Sequence, residues 1–135
     1  MVSQEQDIIS LVKGGTTNVE ELRSQLGAQA SNDVSLSDWR ICYSTETGQL
    51  SGFCTVIAND SDNPVTGVGI IMYSGDGQTM WALEYTNGFS SPMVMPSVGT
   101  NLYNPAMGNQ SLCIVYGTTV NGSYFFIDTL NIGAC

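Results

Sequence analysis

Residues 69–85 read GIIMYSGDGQTMWALEY. An apolar run meets a glycine-bracketed polar turn, and a second apolar run follows. The only charges are Asp76 in the turn and Glu84 near the end. Asp-Gly between alternating apolar runs signals a β-hairpin. A two-residue turn at Asp76-Gly77 sets Met72 against Trp81 and Ile70 against Leu83. Ile70, Met72, Trp81 and Leu83 then share one face, and Ile71, Tyr73, Met80 and Ala82 share the other. Both faces are apolar, so the hairpin is expected to be covered on both sides.

Two more segments have the same texture. Residues 39–58, WRICYSTETGQLSGFCTVIA, and 112–130, LCIVYGTTVNGSYFFIDTL, each carry an apolar run, a polar turn with glycine and a second apolar run. Asn121-Gly122 suits a type I′ turn, which needs positive φ at both positions. It sets Tyr116 opposite Ile127 and Ile114 opposite Thr129. Around Gly48, Tyr43 meets Phe53 and Trp39 meets Ile57. That register also puts Cys42 opposite Cys54, within disulfide reach.

Outward from the hairpins, residues 1–30 read as a helical pair. Ser3 with Gln6 and Thr17 with Glu20 form capping boxes. Gly14, Gly15 and Gly27 are the stops, and residues 28–37 read as a linker. TTNVEELRSQLG resembles the opening of a winged-helix DNA-binding domain, but where a basic recognition helix would follow the chain is acidic and turn-rich. Two short amphipathic helices packing on a sheet are expected instead. Residues 38–135 form the β part of a single domain. The expected fold is mainly β: an antiparallel β-sandwich built from three hairpins, with two short N-terminal helices. The alternative is an α+β fold, a single antiparallel sheet with helices on one face. Between the second and third hairpins, residues 86–110 form a long, proline-containing connection with short strands near Met93–Met95 and Asn101–Tyr103. Such connections often carry function.

The 135 residues contain 3 basic and 12 acidic side chains, a formal net charge of −9. This charge disfavours nucleic acid and anionic lipid as partners. Charged residues are 11% of the chain, against roughly 25% in typical soluble proteins. Neutral polar residues replace them, a balance that suits an extracellular protein. No run of about 18 apolar residues is present to span a membrane. The start, MVSQEQD, has no signal-peptide pattern, so secretion implies a signal not present in this chain. Four cysteines at wide spacing, without histidine, favour disulfides over zinc. They allow three pairings, and the sequence does not choose among them.

With no histidine, Ser-His-Asp, Cys-His and HExxH chemistry is excluded. SGDG at 74–77 is a turn and not a phosphate loop. Asp60 and Asp62 fail the calcium-loop pattern, because Pro64 replaces its turn glycine. Glu84 and Asp128 are strand acids with nothing in the sequence to make them converge as a glycosidase pair. Asn59, Asn109 and Asn121 head formal glycosylation sequons. No catalytic residue, metal site or cofactor is expected, and the chain is not expected to be an enzyme.

Between Glu84 and Asp128 no residue is charged. Rings and amides concentrate there: Tyr85, Asn87, Phe89, Tyr103, Asn104 and Asn109. Such surfaces offer rigid contact area and adaptable hydrogen bonds. The expected function is therefore a lectin-like, extracellular binding module for a neutral ligand, a glycan or a protein surface. A structural subunit of a pilus, coat or other homo-oligomer is the alternative, and a membrane-active toxin is a third reading.

Overall fold

A computed structural model describes residues 4–25, 33–87, 93–104 and 108–135. Two helices, α1 (Gln4–Lys13) and α2 (Val19–Gln25), precede seven strands. These are β1 (Val34–Tyr43), β2 (Gln49–Ala58), β3 (Val65–Ser74), β4 (Met80–Thr86), β5 (Met93–Leu102), β6 (Gln110–Thr119) and β7 (Gly122–Ala134). Val34–Ser37, expected as linker, is the start of β1.

The glycine pair ends α1 as expected. Gly15 takes φ +102°, the left-handed conformation that costs glycine little. Gly15 N–H then reaches Val12 O and Thr16 N–H reaches Leu11 O, at 3.0 and 2.9 Å, the bonding of a Schellman cap. The start of α2 differs from expectation. Asn18 is the cap, with its Oδ1 accepting the Glu21 N–H at 3.1 Å. Thr17 instead packs its methyl group where a side chain at Gly77 would sit.

Strands β1–β2, β3–β4 and β6–β7 are antiparallel neighbours, at the places of the three expected hairpins. They do not make a purely antiparallel sandwich. One seven-stranded mixed sheet runs β4-β3-β6-β7-β1-β2-β5, and β1 joins β7 in parallel. The sheet curls until its edge strands, β4 and β5, touch. The two short strands expected in the long connection are one strand, β5, with an irregular register between its pairs to Gln49 and Ser51.

The first and third hairpins turn at a different place from the expected one, while the second turns about Asp76-Gly77 as expected and slips beyond it. In the first, Ser44 N–H bonds Gln49 O, and Ser44 Oγ accepts the Glu46 and Thr47 N–H groups. Cys42 therefore faces Ser51, and the expected opposition to Cys54 is incorrect. In the second, Tyr73 meets Met80, but Trp81 is an extra residue, so Met72 meets Ala82 and Ile71 meets Leu83. In the third, Thr119 pairs with Gly122, and Tyr116 faces Phe125. The Val120 N–H goes to Pro64 O and the Asn121 N–H to Asn63 Oδ1, at 3.1 and 2.9 Å. Those tertiary bonds hold the turn one residue early, and neither Asn121 nor Gly122 takes positive φ.

Two apolar layers result. Inside the curl, Ile41, Leu50, Val56, Ile70, Trp81 and Val115 pack together. β2 crosses so close to β3 that a Cβ on Gly52 would collide with the Met72 sulfur. On the outer face of β3, β6 and β7, Ile71, Leu112, Ile114 and Ile127 lie under Ile8, Val12 and Leu22 of the helices. Both faces of β3 are thus covered.

Cys42 and Cys135 form a disulfide, while Cys54 and Cys113 are buried thiols. Burial pushes Cys54 up to about 11 and Cys113 up to about 12. It also raises Tyr124 and Tyr116, the latter helped by its 2.6 Å bond to Glu5 Oε2 and by that carboxylate's charge. The folded state holds these protons harder than the unfolded chain does. Stability from these groups is complete below the ordinary thiol value of 9.0 and falls as pH rises through the folded values. The urea midpoint is expected to hold from pH 7 to 8.5 and drop steadily towards pH 11. A flat midpoint across pH 9–11 contradicts the burial of these groups.

Candidate functional site

The expected site residues divide into separate places. Tyr103 stacks on Tyr43 with ring centroids 4.6 Å apart, and its hydroxyl donates to Gly108 O at 3.2 Å. Asn109 lies alongside, its carbonyl accepting Ile132 N–H at 2.8 Å. Tyr103, exposed Asn104 and exposed Asn109 therefore share one end of the sheet with Leu102, which is 63% exposed. Tyr85 is elsewhere. It stacks on Tyr116 at 5.9 Å on the outer face, and Asn87 follows just past the end of β4. The extra residue at Trp81 moved Tyr85 there, since a one-residue slip exchanges the two faces. Phe89 lies outside the described residues.

One hollow involves none of these. It is a cleft of about 570 Å³ between β1 and β7, lined chiefly by Arg23, Leu36, Trp39, Phe126, Ile127 and Asp128. Its origin is in the pairing. β1 and β7 are bonded only at Ile41–Ile132, Cys42–Gly133 and Tyr43–Ala134. Continued towards the chain start, that register would set Leu36 against Ile127 and Val34 against Phe125. These residues line opposite walls instead, so the two strands diverge like an opened zipper.

The divergence begins at a bulge in β1. The register shifts between Ser37 and Arg40, and Asp38 takes φ +52°, which aspartate tolerates better than most residues. Above the bulge, Tyr43 turns its carbonyl to β7 and accepts Cys135 N–H at 2.9 Å. Below it, Asp33 turns its carbonyl to Asn59 N–H at 2.7 Å, on the β2 side. Val34 and Leu36, one residue out of phase, direct their amides into the cleft. Across from them, Ile132 bonds on the β6 side, so Phe125, Ile127 and Thr129 point at the cleft. Arg23 donates to Ile127 O at 3.0 Å, and Asp128 Oδ1 accepts Thr129 N–H at 2.8 Å. Arg23 also reaches Glu20 at 2.9 Å in an exposed pair, which contributes little to stability.

The cleft is thus walled by rings and aliphatic groups and carries one engaged cation and one engaged anion. Its size falls in the range of small-ligand sites. Its walls come from three distant segments, and nothing local in the sequence marks the parting of two strands 91 residues apart in register. The acids considered for chemistry do not gather. Asp60 closes its own loop by accepting Asp62 N–H at 2.9 Å. Among the described residues no group of three His, Cys, Asp or Glu is placed to hold a metal, and no helix is long and apolar enough to cross a membrane. Compared with models of protein families and with curated proteins, the chain matches none.

Proposed function

We propose that the chain is a non-catalytic binding module for a neutral ligand, and that the β1–β7 cleft is its main contact. The observation that carries this reading is the cleft's lining: Leu36, Trp39 and Phe126 beside only two charged groups, both already bonded. Aromatic walls supply contact area, and strand amides turned towards the cleft supply directional bonds. Tyr103, Asn104 and Asn109 form a second neutral surface at the sheet end, suited to a glycan. The Cys42–Cys135 disulfide accords with an oxidising compartment and hence with secretion.

Glycan and peptide arrays probed with the folded protein test this. A binder is expected to change the emission of Trp39, and Trp39→Ala is expected to weaken it at least tenfold. No binder on either array, with the native spectrum intact, removes the reading. A second reading, self-assembly, rests on Leu83 and Tyr85, which are 39% and 44% exposed on one face of edge strand β4. Light scattering decides it: a monomer that does not change with concentration rules it out.

A further inference from the structure

We infer that the β1–β7 cleft accepts an extended peptide segment of a partner protein as an inserted strand, bonded on both sides by main-chain groups. This rests on the binding reading above and names the ligand's chemistry.

β1 is bonded to β2 on one side, and β7 to β6 on the other. On the sides that face each other, Val34 and Leu36 of β1 and Phe125 and Ile127 of β7 have no strand partner among the described residues. Among the described residues, Ile127 O is the one of these groups that is taken, by Arg23. A strand edge is a template for another strand. Here two edges flank one gap and diverge from the parallel ladder at Ile41–Ile132 to Tyr43–Ala134, so their strands run in the same direction. An eighth strand between them would continue the sheet from β7 to β1.

The gap also states what the strand must look like. Leu36, Trp39 and Phe126 pack against the inner core, and Phe125 and Ile127 against the layer under the helices. Side chains on both faces of an inserted strand therefore meet apolar surroundings. β1 from Val34 to Trp39 offers about five residues of length, roughly 17 Å at 3.3 Å per residue. At the mouth, Asp128 is exposed while Arg23 is paired with Glu20, and the chain carries a net charge of −9. A lysine or arginine just beyond the inserted residues is favoured there. The partner segment is apolar, free of proline and flanked by a cation.

Hydrogen exchange and a random eight-residue peptide display library test this together. In the free protein the amides of Val34, Leu36, Phe125 and Ile127 are expected to exchange at least a hundredfold faster than those of Ile114 and Val115. Protection equal to the core means the cleft is closed, and the proposal falls. Selected peptides are expected to be β-branched, proline-free and flanked by Lys or Arg, and to slow exchange at those four amides. N-methylation at any one interior residue is expected to weaken them at least tenfold, because alternate residues bond to opposite walls. Sensitivity at every second residue only means addition to one edge, and it overturns insertion. Indifference to N-methylation, or a glycan binder dependent on Trp39 with no enriched peptide, overturns the strand and leaves the binding reading standing. Absence of any binder removes both.

Discussion

Trp81→Ala is expected to lower the unfolding free energy by about 3–5 kcal/mol, the range for emptying a fully buried large aromatic site. Trp81 has no exposed surface and packs inside the curl, with its ring edge-on to Tyr103 at 6.5 Å. The loss should appear in the urea midpoint with an unchanged slope, and as a melting temperature lower by roughly 10 °C. Leu83→Ala is the informative companion. Plain alternation from Trp81 would place Leu83 in the same core, but the bulge turns it to the outer face, where it is 39% exposed. Its truncation is expected to cost under about 1 kcal/mol, as surface changes do. Equal losses at the two positions would mean that the strand is not bulged and that Tyr85 also faces inward.

That pair of residues shows where sequence reading reaches its end. The hairpins are legible because each depends on local chemistry: apolar alternation on both sides of a glycine-containing turn. Register is less local. Ser44 and Ser74 each use a hydroxyl to bind turn groups, lengthening both loops beyond two residues. Asn121-Gly122 is a strong turn signal, yet Pro64 and Asn63 hold the reversal one residue earlier. Two bonds from another loop outweigh a local φ preference. A single extra residue then exchanges faces for everything beyond it, which is why Tyr85 and Tyr103 lie apart. The neutral stretch from Tyr85 to Asn109 was visible as composition. Its convergence was not: among the described residues of that stretch, Tyr103, Asn104 and Asn109 share one end of the sheet while Tyr85 and Asn87 do not. The parallel join of β1 to β7, and the cleft it leaves, depends on contacts between the two halves of the chain and has no short-range signature.

Removing the Cys42–Cys135 disulfide is expected to cost up to about 4.6 kcal/mol, the loop-closure value for a sequence separation of 93 residues. The bond sits at the end of the three-pair ladder that alone joins β1 to β7. Without it the last residues of β7 are held by that ladder, by the Ile132 N–H bond to Asn109 O at 2.8 Å and by the Cys135 N–H bond to Tyr43 O at 2.9 Å. Cys42→Ser with Cys135→Ser should therefore fray the chain end as well as lower the melting temperature by roughly 10 °C. Because the ladder also closes the cleft at its narrow end, the double variant should lose peptide binding at temperatures where its core remains folded. A thiol titration keeps the test sharp. Cys54 and Cys113 are buried and hold their protons, the forms least reactive to thiol reagents. The native protein should show no reactive thiol, and the unfolded, unreduced protein should show two. Four thiols in the unfolded protein, or a melting temperature that does not move on reduction, would contradict both the pairing and its part in holding β1 to β7.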